Sequence, residues 1–173
     1  MRETALVVPV PEAEPIVGEW RRRYDPTARR GVPAHITLLF PFAPPSEVDA
    51  NVDALREVFA AIAVFDFALA AVGRFPRTAY LRPEPENALL ALIDALMRRW
   101  PQFPPHGGRF DSVIPHLTVA DGVSADVLDV VEQALSPRLP IACRADAAWL
   151  LRSDAQGRWS CACVFPFAQA ATA

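Results

Sequence analysis

The chain contains no lysine. All 17 basic residues are arginine, and 20 acidic residues bring the formal charge to −3. That balance excludes a protein that coats long nucleic acid by bulk positive charge, which needs a strongly basic surface. Cysteine is scarce as well: Cys143, Cys161 and Cys163 are odd in number and late in the chain, fitting neither a secreted disulfide framework nor zinc-ligand spacing. Cys161 and Cys163 stand two apart in an expected strand, so they share a face and are expected as small core residues. No apolar run approaches the roughly 18 residues of a membrane span, and the opening MRETALVVPVPEAEP lacks a basic-then-apolar signal pattern. A cytoplasmic location is expected. Histidine is rare too, with three in the chain, so where each one falls is informative.

What is present is ample apolar material. With 173 residues, 52% hydrophobic and 21% charged, the chain suits one packed domain over residues 1–173 built as two lobes around a shared core. ETALVVPV alternates as an opening strand. EAEPIVGEWRRRY reads as a helix with acid early and arginine late, as the helix dipole prefers. SEVDANVDALREVFAAIA has Ser46 as a cap and Val48, Val52, Leu55, Val58, Phe59 and Ile62 at helical spacing. FDFALAAVGRF and TAYLRPE form an expected hairpin around residues 74–77, and PENALLALIDALMRRW a further helix. After a Pro/Gly-rich loop and a strand at VIPHLTVADG, Ser124 caps a helix to about Leu135. IACRADAAWLLRS and RWSCACVFPF then close the chain as a hairpin across residues 154–157.

Two stretches break the apolar rule in the same way. VPAHITLLFPF carries His35 and Thr37, and VIPHLTVADG carries His116 and Thr118, each in the order histidine, apolar, threonine, apolar. Residues i and i+2 of a strand share a face, so each stretch presents an imidazole and a hydroxyl together. Burying either group without a partner is costly. With 12 Ser or Thr in 173 residues, two such pairings among three histidines arise by chance roughly 1% of the time. A similar order follows each motif: capped helix, then two strands. That reads as a duplicated unit whose approximate two-fold axis brings the histidine strands together.

Opposed across a cleft, the two imidazoles and two hydroxyls suit an anion the size of a phosphate. In-line displacement at phosphorus needs one group to take a proton from the attacking oxygen and another to protonate the leaving oxygen. Histidine, with an ordinary pKa of about 6.5, suits both tasks. Threonine hydroxyls can donate to the non-bridging oxygens. This chemistry calls for no metal and no cofactor.

On these residues the chain resembles the two-histidine (2H) phosphoesterases, including bacterial 2'-5' RNA ligases and RNA 2',3'-cyclic phosphodiesterases. Their hallmark is a pair of His-x-Thr/Ser-hydrophobic tetrapeptides, matched here by HITL at 35–38 and HLTV at 116–119. The resemblance implies a bilobal α+β fold, with antiparallel sheets lining a central cleft and helices outside. It also implies hydrolysis of cyclic or 2'-5' phosphodiester bonds, with ligation as the reverse reaction. Carried over by position, it makes His35 and His116 the catalytic acid and base and Thr37 and Thr118 the phosphate holders. The expected partner is a small nucleotide or RNA end, and the expected state is a monomer without membrane or metal association.

Other residues have two readings. Five arginines lie within residues 21–30; they either steer a polyanionic substrate or form a solvated helix end. Arg109 is a candidate substrate contact close to His116. Tyr80, Phe40, Phe110 and Trp149 are base-stacking platforms or core residues, and His106 is a substrate contact or a surface imidazole. Two other functions stay open: a nucleotide- or RNA-binding module without turnover, and a metal hydrolase using His35, His106 and His116.

Overall fold

In the computed structural model, which describes residues 3–108 and 113–169, thirteen helices and strands (short 3-10 turns aside) follow one another as β1 (Thr4–Pro9), α1 (Glu14–Tyr24), α2 (Pro26–Arg29), β2 (His35–Leu39), α3 (Val52–Ala60), β3 (Phe65–Phe75), β4 (Thr78–Glu84), α4 (Asn87–Arg99), β5 (Leu117–Asp121), α5 (Ala125–Leu135), β6 (Ile141–Ala145), β7 (Ala147–Ser153) and β8 (Trp159–Pro166). The strands make two four-stranded sheets, β2-β1-β7-β8 and β5-β4-β3-β6. All pairings within them are antiparallel. The α+β class and the paired sheets agree with the sequence reading.

The duplication is larger than the sequence suggests. Each half runs strand, helix, histidine strand, helix, strand: β1-α1-β2-α3-β3, then β4-α4-β5-α5-β7, with β6 inserted between α5 and β7 in the second half. The last strand of each half changes sides. β3 pairs with β4 of the second half, and β7 pairs with β1 of the first. Helices cross over too, α1 packing on β5 and α4 on β2. One continuous core results, joining Leu6, Ile36, Leu38 and Leu39 to Leu81, Leu117, Val119 and Leu150.

Three local expectations need correction. Pro44 accepts from the amides of Glu47 and Val48, so Ser46 lies inside a turn and is not the cap of α3. A 3-10 turn, Val48–Asn51, leads into that helix, which buries Leu55 and Phe59 as expected. IACRADAAWLLRS is not one strand. Buried Ile141, Cys143 and Ala145 alternate with exposed residues through Asp146, and there the chain leaves one sheet as β6 and enters the other as β7. Cys143 is buried, but Cys161 is exposed and Cys163 half-buried because β8 is an edge strand; all three thiols are free. The closing turn is as expected, with Asp154 Oδ1 accepting from the amides of Gln156 and Arg158 at 2.9 Å each and Gly157 at a φ of 76°.

Candidate active site

β2 and β5 are edge strands of their sheets and lie against each other where the sheets meet. His35 opens β2, and His116 stands one residue ahead of β5. Within each motif the alternation is as expected: His35, Thr37, His116 and Thr118 are half-buried, while Ile36, Leu38, Leu117 and Val119 are buried. The same irregularity follows both threonines. Leu6 pairs with Leu39 and Val7 with Thr37, which skips Leu38; Ala79 pairs with Ala120 and Tyr80 with Thr118, which skips Val119. A bulge of this kind bends the strand and resets which face follows. In β2 it lets Leu38 and Leu39 both enter the core while His35 and Thr37 keep the opposite face.

The rings are anchored alike. His35 Nδ1 lies 2.8 Å from the Pro33 carbonyl and His116 Nδ1 lies 2.7 Å from the Ile114 carbonyl, in each case two residues upstream. A carbonyl only accepts, so Nδ1 must carry the hydrogen. The neutral ring then keeps its lone pair on Nε2, the usual way a second partner sets a histidine tautomer.

The surroundings of the two rings differ. In the second half, Gly73, Tyr80 and Thr118 lie in register across three strands. The Tyr80 ring, 7% exposed, stacks on Phe75 at 4.5 Å and meets His116 at 5.1 Å, while Phe75 meets His116 edge-on at 5.4 Å. The matching positions of the first half are Trp149, Val7 and Thr37. Valine in place of tyrosine leaves room. A cavity of about 120 Å³ opens beside His35 and Thr37, walled by Ala5, Val7, Val32, Phe40, Leu151 and Trp159, with Thr27 also lining it.

Burial and neighbouring charge act on the His35 ring. The pKa of His35 is lowered from 6.5 to about 4, first by burial and then by the Arg21 cation; the Pro33 carbonyl and Asp25 oppose this, and His116 adds a smaller push downward. His35 is therefore neutral at pH 7.

The other candidates divide by position. Phe40 lines the cavity and meets Trp159 edge-on at 6.1 Å, and Trp149 packs half-buried in the same apolar cluster. Tyr80 leaves little ring free for a base, since Phe75 and His116 occupy its surroundings on the sheet face. Phe75 is not identifiable from the sequence, because its contact with His116 depends on the β3–β4 register. Arg109 and Phe110 lie outside the described residues. His106 belongs to a 3-10 turn, Pro105–Gly108. The arginine-rich segment splits: Arg22, Arg23, Arg29 and Arg30 are exposed, whereas Arg21 is buried, only 2% exposed. Among the described residues, no three His, Cys, Asp or Glu side chains converge as metal ligands, and no helix is long and apolar enough to cross a membrane.

Gly73 is needed for this packing, since any Cβ there would strike the Tyr80 ring. Gly73→Ala is expected to cost about 1–3 kcal/mol, the usual range for overpacking. In a Tyr80→Ala background the penalty should shrink. Urea denaturation of the four proteins of this cycle measures it, and equal penalties in both backgrounds would mean that the methyl group strikes something else.

Duplicated histidine–threonine strands, set edge to edge between two antiparallel sheets, define the two-histidine phosphoesterase class. The model of the 2'-5' RNA ligase superfamily matches residues 8–157, and the chain belongs to that family. Similar solved structures include TT0787 of Thermus thermophilus, at 21% identity and a TM-score of 0.67, with 96% of this chain and 98% of that one covered. E. coli LigT complexed with 3'-AMP is 17% identical with a TM-score of 0.61, covering 96% and 98%. LigT complexed with NADP+ is 17% identical with a TM-score of 0.63, covering 97% and 98%. No curated protein matches the chain by sequence.

Proposed function

We propose that the protein is a metal-independent phosphodiesterase that opens 2',3'-cyclic or 2'-5' phosphodiester bonds in small nucleotides or RNA ends, with His35 and His116 as base and acid. The observation that carries this reading is the matched pair of ring anchors, which leaves Nε2 as the basic nitrogen of each ring on two adjoining strands. Because His35 is neutral at pH 7, it takes the proton of the attacking water as the new P–O bond forms. His116 gives its proton to the leaving 3' oxygen as the old P–O bond breaks, and a 2'-phosphate results. Each ring then holds the form needed for the reverse step, closure of the cyclic phosphate; with a 5'-hydroxyl in place of water as the attacking group, the same two proton transfers would form the 2'-5' bond of a ligation. Thr37 and Thr118 donate to the non-bridging oxygens as charge redistributes.

The cavity beside His35 suits the base. Its walls are mainly apolar, with Phe40 and Trp159 as aromatic surfaces, and stacking of this kind tolerates any base. The nucleotides bound to LigT, 3'-AMP and NADP+, are in keeping with a substrate of that size.

The test is hydrolysis of 2',3'-cyclic nucleotides and 2'-5' dinucleotides in the presence of a chelator. Turnover is expected without added metal. Binding with no turnover would favour the nucleotide-binding module instead, and activity abolished by the chelator would favour the metal hydrolase.

A further inference from the structure

An arginine on the core-facing stripe of a helix is costly to bury unless its donors are used. Arg21 follows Ala13 and Val17 at intervals of four, and all three are buried. Its guanidinium reaches three parts of the chain. Nε lies 3.1 Å from the Thr118 carbonyl and 3.2 Å from Asp25 Oδ2; one terminal nitrogen donates to the Val32 carbonyl at 3.2 Å and the other to Asp25 Oδ2 at 2.8 Å. Asp25, 1% exposed, also accepts from the backbone N–H and the hydroxyl of Thr27, at 2.8 Å each. Thr118 belongs to the second motif, and Val32 stands three residues ahead of His35. One side chain thus bonds the backbones that carry both motifs.

We propose that Arg21, held by Asp25, is a positioning residue that sets the spacing of the two histidine strands across the bound phosphate. The proposal rests on the two-histidine reading above. An apolar pair could fill the same volume at little cost in stability, but only a planar fork of donors can bond two carbonyls and a carboxylate at once. The cation also acts on His35. Of the charged groups that influence this ring, Arg21 disfavours its protonation, Asp25 favours it and His116 disfavours it, with Arg21 the largest of the three. Glu14 Oε1 lies 3.7 Å from Arg21.

Two variants test the proposal. Arg21→Met/Asp25→Asn removes both charges together, so neither is left unpaired in the interior. Arg21→Lys keeps the charge and loses the fork. Both are expected to lower kcat by about 10- to 100-fold, since misplacement by about 1 Å costs on that order, with KM changed less than about threefold. In the double variant, losing the stronger Arg21 effect raises the pH at which His35 titrates, read from its imidazole NMR signals and from the acid limb of kcat/KM. In Arg21→Lys that pH stays near the wild-type value. Wild-type kcat in both variants would overturn the proposal, as would a loss of kcat that only tracks a loss of folded protein by circular dichroism. Failure of the underlying reading looks different: the wild type is itself inactive, or keeps its activity without the histidines. The NMR titration tests the link between Arg21 and His35 in that case as well.

Discussion

His35→Ala and His116→Ala are each expected to lower kcat by roughly 10²- to 10⁴-fold, the usual contribution of a positioned acid or base. The double variant should be little slower than the worse of the two. The reason is mechanistic: both proton transfers serve one displacement, and groups that act as a unit give non-additive losses. The measurement is turnover of a 2',3'-cyclic nucleotide by the four proteins, each checked for folding by circular dichroism. A double variant as active as wild type would remove the histidines from the mechanism. The pH profile adds a constraint that the motifs alone do not supply. Two histidines near their ordinary pKa would give an acid limb near neutrality. With His35 lowered to about 4, the acid limb of kcat/KM is expected near pH 4, and activity should persist well below pH 6.

The motifs are legible in the sequence because their chemistry is local. A histidine and a threonine two apart on an apolar strand share a face whatever the strand pairs with, and duplication makes the pair stand out. Helices α1, α4 and α5 are legible for a similar reason, since their apolar spacing is a local property. What escapes depends on register or on partners far along the chain. Phe75 reaches His116 only because β3 and β4 pair so as to set Gly73 beneath Tyr80. The break at Asp146 is invisible to alternation alone, because the buried–exposed alternation of β6 runs on through Asp146 and only the sheet changes there. Cys161 has the strand periodicity of a core residue but sits on an edge strand, and edge position follows from topology. Arg21 does leave a signal. It occupies the place in the Ala13, Val17 series where an apolar residue belongs, with Asp25 four residues further on, a spacing that pairs charges across one helical turn. The density of neighbouring arginines hides it, because a basic run suggests a solvated surface.

His35 should also make the protein acid-sensitive, by roughly 2.5 kcal/mol between pH 7.5 and pH 4.5. Its pKa is about 4 when folded and 6.5 ordinarily. Between those values the unfolded chain binds a proton that the folded protein does not. Stability therefore rises with pH across this window: the contribution is complete above about pH 6.5 and is lost as pH falls toward 4. His35→Asn removes the titration while leaving a side-chain amide that can donate to the Pro33 carbonyl. Urea denaturation of both proteins at pH 7.5 and 4.5 isolates the term, because carboxylates that titrate in the same range are present in both and cancel in the difference. The wild type is expected to lose roughly 2.5 kcal/mol more than the variant. Equal losses would mean that His35 titrates alike in the folded and unfolded chain, and the assignment of His35 as the neutral, proton-accepting ring would then lose its physical basis. If the stability difference levels off at the same pH, near 4, at which the acid limb of kcat/KM falls, the ring that resists protonation in the folded protein is also the ring that must be unprotonated for turnover.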